Sequence, residues 1–261
     1  MEVSGQVIKL SSQQQRVLLL LFKFRFISSH LLSEVMGISN PGCYKALESV
    51  VKLGFVNKVY ESAYRIDRKP AYYCLNKQGV TIVRNLLGAK ESVVHTLYKN
   101  DAASPEYIDH CLTAAKVYVS LMCALPDDAN IYTTSEMRRL SALSFPKNKP
   151  DLYIRMPDGQ EAIIVIMDGK QPYIARKRLD EIIQHSEDGE WDGDYPRIGF
   201  ILGSVRDTRS FLYSAQRKLD AMGMDEEELF VLAAYLGELQ DGTDRVWSNA
   251  FHPQSPARLL E

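Results

Sequence analysis

The feature that most limits the fold of this chain is the apolar run Ile163-Ile164-Val165-Ile166, inside a strand-like segment at residues 161–167. A strand that faces water on one side alternates apolar and polar residues, whereas a near-continuous run is typical of a strand buried on both faces. A tight turn, Pro157-Asp158-Gly159, joins this segment to an earlier strand at 151–156. Helices and strands then alternate, at residues 173–185, 197–203, 208–222 and 228–235. This alternation predicts an α/β domain with a central mixed sheet.

The first 88 residues have a different pattern. Ser11 and Ser12 precede an amphipathic helix, Ser28 or Ser29 caps a short second helix, and Gly37 ends it. Asn40-Pro41 has the form of another helix start, with Asn40 as N-cap. Two strand-like runs, at 55–60 and 71–75, then enclose a basic hairpin tip, and a further helix ends near Gly88. The order of these elements predicts a winged helix-turn-helix domain.

In such a domain the second helix of the helix-turn-helix lies in the major groove of DNA, and its first residues meet the base edges. The candidate DNA-binding residues of this helix are Asn40, Tyr44, Lys45 and Lys52. On the wing, Arg65, Arg68 and Lys69 are expected to contact phosphates or the minor groove. Tyr44 has an alternative interpretation as an aromatic residue of the core, and the whole domain has one as a protein-contact module.

Charge is unevenly divided along the chain. Residues 1–90 contain 13 Lys and Arg against 5 Asp and Glu, although the whole chain has a net charge of −2. A basic N-terminal part beside an acidic remainder favours an anionic partner, for which a polyphosphate backbone is the usual candidate.

Two acidic segments lie around the buried strand. Pro150-Asp151 precedes the first strand of the sheet, and Asp168-Gly169-Lys170 follows the apolar run. The form PD…DxK is the residue set of metal-dependent nucleases of the restriction-endonuclease type. Adjacent strands would bring Asp151 and Asp168 side by side as metal ligands, and Lys170 would face the same pocket if the chain stays extended.

Such a site has a clear chemistry. Mg²⁺ or Mn²⁺ prefers oxygen ligands, activates water and stabilises added negative charge, while a lysine stabilises the charge of the transition state. Glu136, ahead of a basic helical piece, is the best third acid. We therefore predict Asp151, Asp168, Lys170 and Glu136 as the catalytic residues. For Asp151 a turn role and for Lys170 a solvated surface role are the alternatives.

These patterns divide the chain into a DNA-binding domain at 1–88, a linker at 89–105, an α/β domain at 106–240 and a tail at 241–261. The four cysteines form no CxxC pair, and the five histidines are isolated, so a zinc site is not expected. No P-loop or GxSxG elbow is present. The longest apolar run, at 17–22, is too short to span a membrane, and no signal peptide is recognisable, so we expect a cytoplasmic protein.

The chain resembles the replication-relaxation family and the related MOBC-type plasmid mobilisation relaxases over residues 12–205. The matching stretches are Leu53-Gly54-Phe55-Val56, Tyr72-Tyr73-Cys74-Leu75, Ser135-Glu136-Met137-Arg138-Arg139, Lys149-Pro150-Asp151 and Asp168-Gly169-Lys170. The resemblance implies a winged helix fused to a PD-(D/E)xK restriction-endonuclease-like domain. It also implies nicking of double-stranded DNA at a plasmid transfer origin, with a possible accessory mobilisation or coupling protein as partner.

Two functions remain open on the sequence. The first is a metal-dependent DNA-nicking relaxase, in which water is the simpler nucleophile, although Tyr153 and Tyr173 are near the proposed site. The second is a non-catalytic DNA-binding accessory, replication or copy-control protein with a decayed nuclease domain. Ile166 motivates the second, because it stands where the family usually has an acid.

Overall fold

A computed structural model describes residues 2–3, 6–7, 9–60, 70–140, 143–239 and 246–260. The chain forms two compact units, Met1–Ala115 and Lys116–Glu261. The first contains a two-stranded and a three-stranded sheet, and the second contains a seven-stranded sheet.

Helices and short strands alternate in the first unit. Its strands are β1 (Glu2–Val3), β2 (Gln6–Val7), β3 (Ile27–Ser28), β4 (Val56–Val59) and β5 (Tyr72–Leu75). Its helices are α1 (Ser12–Phe24), α2 (Ser29–Met36), α3 (Asn40–Lys52), α4 (Lys77–Leu87) and α5 (Glu91–Val94), followed by a 3-10 helix (His95–Ala102). Helix α6 (Pro105–Ala124) begins in this unit and continues beyond it.

Helix ends in this unit follow their capping residues. Ser11 and Gln14 form a capping box at the start of α1, and Ser28 accepts a hydrogen bond from the Leu31 N–H at the start of α2. Gly37 ends α2 in the left-handed conformation, as predicted. The N-cap of α3 is Ser39 and not Asn40, which was predicted. Ser39 accepts from the Gly42 N–H, which places Asn40 and Pro41 in the first turn.

The three-stranded sheet β3-β5-β4 is antiparallel throughout. Helices α2 and α3 pack against each other across the turn at Gly37. Three helices, a strand pair on which a hairpin is built, and a following helix are the arrangement of a winged helix-turn-helix domain, which the sequence predicted. The tip of the hairpin, with Arg65, Arg68 and Lys69, lies outside the described residues.

The polar segment at 89–105, predicted as a linker, folds onto the first unit. Leu97 and Asn100 of the 3-10 helix are both buried. Asn100 donates to the Leu75 carbonyl oxygen at 3.0 Å and accepts from the Arg25 Nε–H at 2.8 Å. These contacts tie the segment to strand β5 and to the end of α1, so the first unit extends to Ala115.

The second unit is built on a seven-stranded mixed sheet. Its strands are β6 (Asn130–Thr133), β7 (Leu152–Arg155), β8 (Glu161–Ile166), β9 (Arg197–Leu202), β10 (Val231–Tyr235), β11 (Trp247–Asn249) and β12 (Pro256–Ala257). Its helices are α7 (Thr134–Met137), α8 (Pro172–Glu187), α9 (Val205–Met222) and α10 (Leu236–Leu239). The sequence placed β7 to β10 and helices α8 and α9 correctly, within a few residues at their ends.

Strand order in this sheet is β12-β11-β10-β9-β8-β7-β6. The three central strands, β8, β9 and β10, run parallel, and the outer strands pair antiparallel. Helices α8 and α9 make the crossovers between the parallel strands, and their buried residues join one core with Ile163, Val165 and Phe200 of the sheet. All the side chains of β8 after Glu161 are buried, as its apolar run predicted.

Strands β11 and β12 lie within residues 241–261, which were predicted as a C-terminal tail. Trp247 is buried, and its ring lies so close to Gly199 of β9 that a Cβ there would be 2.9 Å from the ring. The tail therefore completes the edge of the sheet over residues 246–260. Strands of only three and two residues are too short for an alternating pattern to be recognised from sequence.

Candidate functional site

The outer face of α3 carries all four residues that were predicted on the recognition helix. Asn40, Tyr44, Lys45 and Lys52 are exposed. The opposite face is buried in the core of the first unit through Cys43, Ala46, Leu47 and Val50. Tyr44, with 44% of its surface exposed, is thus not a core aromatic.

Tyr44 belongs to a small polar network with strand β4. The Lys58 ammonium donates to the Tyr44 hydroxyl at 3.0 Å and to the Glu48 carboxylate at 2.9 Å. It also lies 4.8 Å from the centre of the Tyr44 ring. The hydrogen bonds to Tyr44 and Glu48 raise the pKa of Lys58, and the hydrogen bond from Lys58 lowers the pKa of Glu48. The ammonium therefore neutralises the acidic residue on this face of α3.

Asp168 and Lys170, from the predicted nuclease site, line a single pocket of about 270 Å³ in the second unit. We call it the β8–β9 pocket because it lies at the carboxyl ends of these two parallel strands. Its charged lining residues are Asp168, Lys170, Arg176 and Asp207, and the remaining lining is formed by Met167, Gly169, Gln171, Pro172, Ala175, Leu202, Gly203, Ser210 and Phe211. Ligands of α/β sheets commonly bind at this end of parallel strands.

The chain turns sharply after β8, which brings Asp168 and Lys170 into the pocket. Gly169 has φ +67°, and the Lys170 N–H donates to the Met167 carbonyl oxygen at 3.1 Å. An extended strand, assumed in the prediction, is therefore absent at Lys170. The glycine between the two charged residues is required by the turn, since a left-handed backbone strains other residues.

Gly203, which follows β9, leaves the space that the Asp168 carboxylate occupies. A Cβ at residue 203 would lie 2.6 Å from the Asp168 Oδ1 atom. On the neighbouring helix, Ser204 is the N-cap of α9, and its hydroxyl donates to the Asp207 carboxylate at 2.6 Å. The pocket thus has one carboxylate after β8 and another in the first turn of α9.

Asp151 has a different environment. Its Oδ2 atom accepts a hydrogen bond from the Ile166 N–H at 2.7 Å, and its own N–H donates to the Ile164 carbonyl oxygen at 2.8 Å. Asp151 does not line the β8–β9 pocket. The pairing of Asp151 with Asp168 as metal ligands therefore stays a prediction.

Glu136, the predicted third acid, caps its own helix. Its carboxylate accepts from the Thr133 N–H at 3.0 Å and completes the capping box of α7. Helix α7 is joined to the start of β7 by the Thr134 hydroxyl, which donates to the Pro150 carbonyl oxygen at 3.0 Å. A catalytic role for Glu136 also stays a prediction.

Whether the second unit can hold a metal ion depends on which acidic side chains line the same pocket. Among the residues that the structure describes, no three His, Cys, Asp or Glu side chains form a group that could hold a metal ion. Mg²⁺ is often held by only one or two carboxylates, together with water and substrate phosphate oxygens. Asp168 and Asp207 are the two carboxylates that line the β8–β9 pocket, which is the number that such a site requires.

Sequence reasoning missed Asp207, Gly203 and Lys58. The signal for Asp207 was present, because Ser204-Val205-Arg206-Asp207 is a helix start of the form S-x-x-D. Nothing in the local sequence connects it to Asp168, which lies in another segment. Lys58 was part of a predicted strand, but its contact with Tyr44 depends on how the hairpin packs on α3.

Comparison with known proteins adds little to this geometry. No protein-family model matches the chain, and no curated protein matches it. A solved structure of a ZitR mutant from Lactococcus lactis is similar over 42% of this chain and 73% of the ZitR chain, at 17% identity and a TM-score of 0.28. A likeness of this size carries no argument about either unit. Within the described residues, no helix combines the length and the apolar character needed to cross a bilayer.

Proposed function

We propose that the first unit binds double-stranded DNA through α3. The observation that carries the proposal is the outer face of this helix, where Asn40, Tyr44 and Lys45 are exposed in the first turns and Lys52 in the last. An asparagine suits adenine edges, and lysines suit guanine edges or phosphates. The one acidic side chain on this face, Glu48, is paired with Lys58. The basic residues of the wing, Arg65, Arg68 and Lys69, would add phosphate contacts.

The test is duplex binding by the full chain, measured by fluorescence anisotropy after selection of a preferred site from a random duplex library. We expect Lys45→Ala and Lys52→Ala to weaken binding and to flatten its salt dependence by about 0.9 in slope per lost phosphate contact. Asn40→Ala should instead relax preference at one base position. Lys77→Ala, an exposed lysine at the start of α4, is the matched control. Equal affinities for all four variants would contradict the proposal.

A second candidate function is metal-dependent nicking of DNA by the second unit, as the resemblance to plasmid mobilisation relaxases implies. The observation that favours it is the β8–β9 pocket, which brings Asp168, Asp207, Lys170 and Arg176 together. Asp168 and Asp207 would hold Mg²⁺ or Mn²⁺, which when bound activates water and stabilises negative charge. Lys170 and Arg176 would bind the phosphate and stabilise the charge that develops on its oxygens. The target would then be a transfer origin, with an accessory mobilisation or coupling protein as a possible partner in the cytoplasm.

Nicking is tested with supercoiled plasmid carrying the selected site, in Mg²⁺ or Mn²⁺. We expect Asp168→Ala and Asp207→Ala to abolish nicking, and Asp192→Ala, an exposed acid between α8 and β9, to leave it intact. Asp151→Asn tests whether Asp168 binds the metal ion together with Asp151 or with Asp207. Loss of nicking in a stably folded Asp151→Asn variant would identify Asp151 as a metal ligand. Absence of nicking by the wild-type chain, with duplex binding retained, would favour the non-catalytic accessory or copy-control function.

A further inference from the structure

Exposed basic side chains of the second unit lie at the start of helix α8 and in the loop before β7. They include residues on both sides of Tyr173 in the sequence of the first turns of α8, and we call this group the α8 basic surface. Its members are exposed, and they are Arg138, Lys149, Lys170, Tyr173, Arg176 and Lys177.

These residues are held together by contacts of α8 with the loop before β7. Arg178 of α8 donates to the carbonyl oxygen of Asn148 at 2.7 Å, and the Asn148 side chain donates to Glu181 at 2.8 Å. The loop therefore lies against the same side of the helix as Tyr173 and Lys177, which are four residues apart and share a face. Lys149 follows Asn148, and its ammonium lies 4.8 Å from the centre of the Phe145 ring.

Asp168 and Asp207 line the β8–β9 pocket with Lys170 and Arg176, whereas the acids of α8 near the other basic members are already paired. Glu181 is already bonded to Arg178 and Asn148, and Asp180 is paired with Lys218. Within the described parts of the chain, none of the five basic members has a carboxylate at ion-pair distance. Partial burial lowers the pKa of Lys149, and the neighbouring Arg138 charge lowers it further. A folded chain that keeps like charges this close favours binding of an anion there.

Tyr173 distinguishes among the possible polyanions. With 60% of its surface exposed, it is among the most exposed large apolar side chains that the structure describes. An exposed aromatic ring among lysines and arginines is the pattern by which proteins hold single strands, since unpaired bases stack on the ring while the cations follow the phosphates. A duplex keeps its bases stacked inside and offers the ring no such partner.

We propose that the α8 basic surface binds single-stranded DNA, with a base stacked on Tyr173 and phosphates held by Lys149 and Lys177. The inference rests on the proposed function only in taking DNA as the partner. It supplies a second DNA-binding surface, next to the β8–β9 pocket, with which it shares Lys170 and Arg176.

The experiment measures binding of fluorescein-labelled oligo(dT), about 20 nucleotides long, to the full chain by anisotropy at several salt concentrations. We expect the double variant Lys149→Ala/Lys177→Ala to reduce the salt slope by about 1.4, which is two contacts at 0.7 each for single strands. Tyr173→Ala should weaken binding roughly 5- to 150-fold, and Tyr173→Phe should restore it. Arg217→Ala, an exposed arginine on α9, is the matched control and should bind as the wild type does.

Two results would overturn the inference. One is equal oligo(dT) affinity for the double variant, Tyr173→Ala and Arg217→Ala. The other is an equal loss of duplex and oligo(dT) binding in the double variant, which would mean that the surface does not select single strands. Lys45→Ala distinguishes a failure of this inference from a failure of the duplex proposal. It should weaken duplex binding and leave oligo(dT) binding unchanged.

Discussion

The carboxylate of Asp151 accepts a hydrogen bond from the Ile166 N–H, with 2.7 Å between Oδ2 and the nitrogen. The bond joins the residue before β7 to the last residue of β8. We expect Asp151→Ala to lower the free energy of unfolding by about 1–3 kcal/mol, because it leaves a partly buried donor unpaired. Asp151→Asn keeps an acceptor oxygen and should lose less. Urea unfolding measures both, and a stability of Asp151→Ala equal to that of the surface control Asp192→Ala would show that the bond contributes nothing.

Gly203 and Asp168 provide a steric test of the β8–β9 pocket. Because a Cβ at residue 203 would lie 2.6 Å from the Asp168 Oδ1 atom, Gly203→Ala should displace the carboxylate. We expect Mn²⁺ affinity, measured by calorimetry, to fall roughly 10- to 100-fold, as for other changes that misplace a metal ligand. Ser210→Ala removes a hydroxyl from the same pocket without adding an atom and should change the affinity much less. Unaltered Mn²⁺ binding in Gly203→Ala would exclude Asp168 as a ligand.

Local signals were sufficient for most of the elements. Ser11, Ser28 and Gly37 are capping residues whose hydrogen bonds or backbone conformation are set within a few residues of the chain. The apolar run of β8 likewise predicted that this strand lies in the interior of the second sheet. Such signals predict where helices and strands begin, and they predicted both the winged helix and the α/β class.

Local sequence patterns could not predict contacts between segments that are far apart in the chain. The segment at 89–105 was mistaken for a linker because it is polar, yet its Asn100 is buried by bonds to Arg25 and Leu75. Asp168 and Asp207 line one pocket because the parallel strands β8 and β9 end side by side, which no spacing in the sequence indicates. The hydrogen bond of Asp151 to Ile166 likewise depends on the register of β7 and β8. The part of the site that was predicted is the part carried by one segment, Asp168 and Lys170.

Glu48 weakens the positive charge of the proposed duplex-binding face. Its carboxylate holds the Lys58 ammonium at 2.9 Å. In Glu48→Gln the ammonium is free to contact a phosphate, so duplex affinity should rise and the salt slope should grow by about 0.9. Glu34→Gln, which changes an exposed acid on α2, is the control and should leave the slope unchanged. An unchanged slope in Glu48→Gln would place Lys58 outside the DNA contact.

Thiol reactivity should separate Cys123 from the cysteines of the core. Cys123 is exposed, whereas burial raises the pKa of Cys43 to about 11 and that of Cys74 to about 12. The reactive species is the thiolate, so both buried thiols should stay protonated and unreactive at pH 8 in the folded chain. Because the unfolded thiol loses its proton near pH 9.0 and the buried Cys43 thiol only near pH 11, the free energy of unfolding should fall as pH rises from 9.0 to about 11. Thiol labelling of the folded and the unfolded chain, with Cys123→Ser as control, measures the reactivity of the buried thiols. Rapid labelling of folded Cys123→Ser would contradict the prediction that these thiols are unreactive.

Arg25 joins α1 to the 3-10 helix at the cost of a strained backbone. It has φ +67° and forms a γ-turn in which the Phe26 N–H donates to the Phe24 carbonyl oxygen. Its guanidinium donates to the Asn100 side chain, the Thr96 carbonyl oxygen and the Tyr107 hydroxyl, at 2.8, 2.8 and 2.7 Å. We expect Arg25→Ala to lower the free energy of unfolding by about 2–4 kcal/mol, since it leaves these acceptors unpaired and keeps the strain.

Glycine at the same position separates the two effects of Arg25. Arg25→Gly loses the same three hydrogen bonds, but glycine tolerates a positive φ, so it should be about 1 kcal/mol more stable than Arg25→Ala. Arg16→Ala, at an exposed position of α1, should change stability by less than about 0.5 kcal/mol. Chemical denaturation of the three variants measures the series. If Arg25→Gly were the less stable of the two substitutions at residue 25, the γ-turn would not be a source of strain, and the whole effect would belong to the guanidinium.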